Sequence, residues 1–154
     1  MKVDALGGAL LDLWVARAEG MTAKIIPAGA KVNGVRVEQE TCIALTPGFD
    51  DWWQPYHSCT WFIAGPIIHR DQIFLDAPHE IHIHTGPCAG WSEESKWSAT
   101  VSARTRTWST GPNDIANMVG GRVGRGRGET PMIAAMRAKV ASHFGDEVPD
   151  EVQA

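Results

Sequence analysis

Two helical stripes, one near each end of the chain, constrain the fold more than any other feature. From Asp4 to Glu19, apolar residues recur at Leu6, Leu10, Leu13 and Trp14, the i, i+4, i+7, i+8 spacing that lines one face of a helix. Asp4 is the expected N-cap and Gly20 the residue just past the last turn. A second stripe, Ile133, Met136, Val140 and Phe144, follows Thr130-Pro131, a capping residue with proline at the first helical position, and stops at Gly145. Each helix must bury its stripe against another layer, and what lies between the two reads as strands.

The strand signals are local and specific. Asn33-Gly34 between Val32 and Val35 predicts a two-residue hairpin, because a type I′ turn needs positive φ at both central positions. Lys24 to Ile26 and Thr41 to Leu45 read as neighbouring strands, the latter ended by Thr46-Pro47-Gly48. The aromatic stretch from Gly48 to Phe62 has no clear period and is expected as an irregular loop over the sheet. Gly65-Pro66 then introduces an expected strand, with Ile73 and Leu75 on one face and Phe74 on the other. HEIHIHT alternates as a half-buried strand, and Lys96 to Trp108 alternates with Trp97, Ala99, Val101 and Ala103 on one side. Residues 113 to 130 hold most of the local glycine without a sustained pattern and are expected to be mobile.

The expectation is an α+β fold: an N-terminal helix, a small antiparallel sheet or meander of about five strands, and a C-terminal helix packed on the sheet. One domain is expected over 1–146, with a flexible Gly/Arg loop at 109–129 and a frayed acidic tail at 147–154. A chain of 154 residues with 44% hydrophobic and 21% charged residues can bury a core and is not compositionally disordered. Its net charge of -4 argues against general affinity for nucleic-acid backbones or anionic membranes. Cys42, Cys59 and Cys88 form no C-x-x-C pair and read as free thiols of a reducing compartment. Asp4, Asp12, Arg17 and Glu19 interrupt the first apolar run, so neither export nor a membrane span is expected and the location is cytoplasmic.

LLDLWVARAEG near the start, WFIAGPIIHRDQI in the middle and ETPMIAAMRAKVASHFGDEVPDE at the end together resemble the phage NinX family, whose blocks read YWVARAEG, DWAxGGPIIERExI and TPLIAAMRAxVxxxFGDEVPD. The match is closest at the termini. It departs at Trp61 to Pro66, where the family has Asp-Trp before a glycine pair, and at His69, where the family has glutamate. The resemblance implies a phage-encoded accessory protein and assigns no reaction.

Four constellations carry chemistry. Arg122, Arg125 and Arg127 alternate with Gly124, Gly126 and Gly128 and run through Thr130 into a helix start, an arrangement suited to bidentate contact with phosphate. It is no Walker A loop, since no Lys-Ser/Thr follows the last glycine, and a solvated flexible loop has the same composition. Trp61, Trp91 and Trp108 lie in or beside loops, where their rings suit a nucleobase while Arg104 and Arg106 meet its phosphates; a homo-oligomer interface would use the same tryptophans. His82 and His84 with Glu80 share a strand face that would take a divalent metal given another ligand, although half-buried strands carry polar residues on their wet face in any case. Cys59 near His57 is the single local nucleophile–base pair.

No H-E-x-x-H or other recognisable catalytic motif is present, and no cofactor is expected. The reading is a protein that binds a small anionic, nucleotide-like ligand without chemistry, a property a phage would use to sequester a host defence signal. Its rivals are a protein-binding module for a host or phage factor and a His-cluster metal-dependent hydrolase.

Overall fold

In the computed structural model, which describes residues 1–83, 90–94, 96–107 and 117–150, both stripes fall on helices apart from Leu6, which precedes the first; Leu6, Leu13, Trp14, Met136 and Val140 are buried, Leu10 and Ile133 half-buried and Phe144 exposed. For 79–83, 90–94, 102–107 and 117–121 the description covers the backbone alone. A short 3-10 helix (Val3–Ala5) precedes α1 (Gly8–Ala18). There follow β1 (Ala23–Ile26), β2 (Lys31–Val32), β3 (Val35–Arg36), β4 (Thr41–Leu45), β5 (Trp53–Pro55) and α2 (Trp61–Arg70). The second half holds β6 (Phe74–Asp76), β7 (His79–Ile83), β8 (Gly90–Glu94), β9 (Trp97–Thr107), β10 (Asn117–Gly128) and α3 (Pro131–Phe144).

The class is α+β with a helix at either end and α3 lying on a sheet. The strands are divided among four small sheets rather than one meander: β1-β4-β5, β10-β9-β6, and the hairpins β2-β3 and β7-β8, all antiparallel. Asn33 and Gly34 take φ of 48° and 85° between β2 and β3, as the hairpin turn requires. Between the sheets sits the core, built from Leu6, Leu11, Leu13 and Val15 on the N-terminal side and Met136, Val140 and the alanines of α3 on the other.

Several expectations give way to tertiary packing. Asp4 is not the cap of α1: it lies in the 3-10 helix, and Gly7 is the N-cap. The aromatic stretch contains β5 and opens α2, so it is not a continuous loop. Residues 61–70, read partly as the approach to a strand, are helical straight through Gly65-Pro66. Proline ordinarily disfavours helix for the residue before it because its Cδ meets that residue's Cβ, and Gly65 has none. Only Phe74–Asp76 of that segment is strand, with Ile73 buried, Leu75 half-buried and Phe74 exposed as the alternation requires.

The largest correction concerns the Gly/Arg segment. Its residues 117–128 form not a loop but β10, paired with β9 from Asn117↔Thr107 to Gly128↔Trp97, with a bulge between Gly120 and Val123; residues 109–116 of the expected loop lie outside the described residues. Gly124, Gly126 and Gly128 face α3 and are buried. A Cβ on Gly126 would collide with the Ala138 amide and stand 2.5 Å from the Ala134 carbonyl oxygen; one on Gly124 would collide with the Ala138 carbonyl and the Ser142 amide. The glycines let the helix backbone lie directly on the strand.

Thr130 caps α3 by accepting a hydrogen bond from the Ile133 amide at 3.2 Å, behind proline at the first helical position. The tail expected to fray is described as far as residue 150, and residues 151–154 lie outside the described residues. Val148 is buried, its amide donates to the Met1 carbonyl at 2.9 Å, and Lys2 bridges Glu147, so residues 146–150 are pinned to the N-terminal segment. Among the described residues no helix is long and apolar enough to cross a membrane.

Candidate functional site

Strand pairing decides which of the candidate residues meet. In an antiparallel pair, residues directly opposite share a face. Ser98 opposes both Arg127 and Asp76, and Thr100 opposes both Arg125 and Phe74, so two rows run across β6, β9 and β10: Phe74–Thr100–Arg125 and Asp76–Ser98–Arg127. Both rows lie on the face opposite the glycines and α3. Arg104 and Arg106 continue β9 opposite Gly120 and Met118, at alternate positions that extend the series 98, 100 and 102; their backbone alone is described.

At the outer edge of β10 this face borders a cleft of about 620 Å³, lined by Ser98, Thr100, Arg125 and Arg127 together with Lys2, Asp4, Asp146 and Glu147 from the two chain ends. The edge itself is held in place. The Arg127 amide donates to Asp4 Oδ1 at 3.4 Å, and Arg137 Nη1 donates to the Arg127 carbonyl at 2.5 Å while its Nε and Nη2 donate to the Leu6 carbonyl at 2.9 and 2.6 Å. These contacts occupy backbone groups that an edge strand would otherwise offer to another chain.

Of the three arginines read as one anion clamp, two meet. Arg122 lies on the glycine side of the strand, beside the C-terminus of α3, with Nη1 2.9 Å from where a Cβ on Gly145 would stand. There its charge complements the helix dipole. Gly124 and Gly126 serve helix packing, although Gly126 also reaches the cleft, and Thr130 is occupied as a cap. Trp61 is 62% exposed on the first turn of α2 and does not line the cleft. Trp91 lies on β8, with its backbone alone described, and Trp108 falls outside the described residues. Among the described residues the aromatic that shares the arginine face is Phe74, which the sequence marked only as the outward residue of its strand.

The histidine strand forms as β7, where Glu80 and His82 pair in the ladder with Glu93 and Trp91; His84 lies outside the described residues. Among the described residues no three His, Cys, Asp or Glu side chains stand close enough to hold a metal ion.

A second polar cluster surrounds Asp12, which α1 carries into the interior. Asp12 Oδ1 accepts from the Ser58 amide at 2.7 Å and the Ser58 hydroxyl at 2.6 Å, and Oδ2 lies 3.7 Å from His57 Nδ1. Burial pushes the Asp12 carboxyl above the ordinary range despite the two Ser58 bonds. Cys59 is next in sequence, but burial raises its thiol as well, which disfavours the thiolate a nucleophile needs. The residue types suggest catalysis; the geometry ties α1 to the segment before α2. Asp12→Ala leaves two Ser58 donors without their acceptor and is expected to cost about 2 kcal/mol, read as a lower urea midpoint at unchanged slope.

A family model described as Bacteriophage P22, NinX matches residues 2–143. No curated protein matches the chain.

Proposed function

The chain belongs to the bacteriophage P22 NinX family, and from that premise we propose that it is a phage accessory protein binding a small anionic, nucleotide-like ligand, without chemistry, in the cleft at the edge of β10. The observation that carries this reading is the pairing of Arg125 with Thr100 and Arg127 with Ser98 along one wall of that cleft. Two guanidinium groups beside two hydroxyls supply bidentate and single hydrogen bonds to phosphate oxygens, and Lys2 adds a third positive charge. Asp4, Asp146 and Glu147 on the same lining balance those charges, which disfavours bare inorganic anions. They suit a ligand that also presents donors, as the hydroxyls and exocyclic amines of a nucleotide do. The role would be sequestration in the host cytosol, with a host defence signal as the ligand.

The test is a thermal-shift panel of mono-, cyclic and dinucleotides, since a ligand that binds the native state raises its midpoint by mass action. At a concentration 100 times Kd the gain is about 2.7 kcal/mol. The double variant Arg125→Ala/Arg127→Ala is expected to abolish the shift, whereas Arg122→Ala, beside the end of α3, leaves it intact. A shift that survives the double variant places the ligand elsewhere and overturns this assignment.

A second reading, a protein-binding module, is favoured by Trp61 and Phe62, 62% and 90% exposed on consecutive positions of α2. It predicts a flat nucleotide panel and a partner recovered from infected host cells only while both rings are present.

A further inference from the structure

We infer that one nucleotide lies across the β6–β9–β10 sheet, its base stacked on Phe74 and its phosphates on Arg125, Arg127 and Lys2. The inference rests on the anion-binding reading above and specifies its ligand: a nucleobase joined to phosphate, either free or at one position of a single strand.

Phe74 is 68% exposed although its neighbours Ile73 and Leu75 turn inward, so the pleat of β6 itself holds the ring outward on the sheet face. A lone exposed phenylalanine needs no explanation on a protein surface. What distinguishes this one is its row, for Phe74 opposes Thr100 and Thr100 opposes Arg125. Strands are about 4.8 Å apart, so the backbones of Phe74 and Arg125 stand about 10 Å apart with one β-branched hydroxyl residue between them. Beside that row, Ser98 occupies the same middle position between Asp76 and Arg127. The lane is therefore low at its centre, with Phe74 beside Asp76 at one side and the two arginines at the other, and the cleft opens at the arginine side, where Lys2 joins Arg125 among Asp4, Asp146 and Glu147.

Each part of a nucleotide meets matching chemistry in that order. The π-face of the base covers apolar ring surface at β6, the sugar hydroxyls lie over Thr100 and Ser98 on β9, and the phosphates reach the guanidinium groups of β10. A single phenylalanine offers a stacking face without hydrogen-bond readout, so the base is held with little discrimination among its kinds.

The experiment is calorimetric titration of the full chain with ADP, with inorganic pyrophosphate and with a short single-stranded oligothymidylate. ADP is expected to bind more tightly than pyrophosphate. Phe74→Ala should weaken ADP by about 5- to 100-fold, the range that stacking on one aromatic ring supplies, and leave pyrophosphate unchanged. Phe74→Trp should restore ADP binding, which a merely structural effect of the substitution would not do. The oligomer binding more tightly than ADP assigns the base to a strand, and the reverse assigns it to a free nucleotide; either outcome supports the stacking site. ADP affinity untouched by Phe74→Ala, while Arg125→Ala still abolishes it, overturns this inference and spares the anion site. Failure of ADP, pyrophosphate and the oligomer alike overturns both.

Discussion

Gly126→Ala should cost at least about 3 kcal/mol, the upper end of what overpacking a core imposes, and so remove a large part of a stability that for domains of this size is about 5–15 kcal/mol. The added methyl would meet the Ala138 amide and the Ala134 carbonyl oxygen, both backbone atoms of α3, and the Arg137 Cβ at 2.7 Å. No rotamer change relieves a collision with backbone, so the helix must lift off β10 along its length, and its contacts with Gly124 and Gly128 open at the same time. Two companion variants identify the cause. Ala138→Gly does not rescue Gly126→Ala, because the colliding atom is the main-chain nitrogen rather than the Ala138 side chain. Arg125→Ala, one residue away on the open face, should change stability by no more than about 0.5 kcal/mol. Urea unfolding of the three variants checks the ordering, and a Gly126→Ala protein as stable as the parent would mean that α3 does not lie on the strand at this distance.

That glycine strand also shows what a sequence read alone conveys and what it withholds. Helices α1 and α3 were legible because their stripes bury large side chains at a helical period, and β9 was legible because Trp97, Ala99 and Val101 alternate with polar residues. In β10 the same alternation is present as glycine and arginine, but the inward residue is glycine. The helix backbone fills the place of a side chain, so the buried face leaves no hydrophobic signal. Helix α2 was obscured by Gly65-Pro66, a pair that usually breaks a helix; here the helix runs on although Pro66 has no amide to donate, and Gly65 presents no Cβ to the proline ring. The site divides in the same way. Arg125 and Arg127 were visible as a pattern, but which face they share with Phe74, Ser98 and Thr100 depends on strand register, and Lys2, Asp4, Asp146 and Glu147 come together from opposite ends of the chain. No local spacing encodes either fact.

Lys139→Met is expected to cost about 3–5 kcal/mol, the range for breaking a buried ion pair from one side, even though methionine fills nearly the same volume. Lys139 is buried on α3, where its Nζ lies 2.6 Å from Asp71 Oδ2 and 3.1 Å from Glu19 Oε1. Arg70 closes the cluster with two bonds to Glu19, at 2.6 and 2.8 Å, and a 2.7 Å bond to Asp71. Two positive and two negative charges thus join the ends of α1 and α2 to the middle of α3. Removing Lys139 leaves two largely buried carboxylates sharing one guanidinium, and neutralising one of them with Asp71→Asn should recover part of the loss, a coupling of about 0.5–3 kcal/mol. Acidity tests the same cluster with a definite sign. Burial alone would raise Glu19 and Asp71, but the hydrogen bonds from Arg70 and Lys139 outweigh it and hold both below their ordinary values. A carboxylate depressed on folding contributes stability above its unfolded pKa, and that contribution is lost as the pH falls through the folded value. Between about pH 5 and pH 3 the parent should therefore lose more stability than Glu19→Gln/Asp71→Asn. Asp12 acts in the opposite sense, since its raised carboxyl favours the folded state as it protonates, and it is common to both proteins. The difference between their urea midpoints across that range isolates the cluster, and parallel curves would show that its carboxylates do not titrate with folding. Urea is the denaturant required, because a guanidinium salt would screen the interactions being measured.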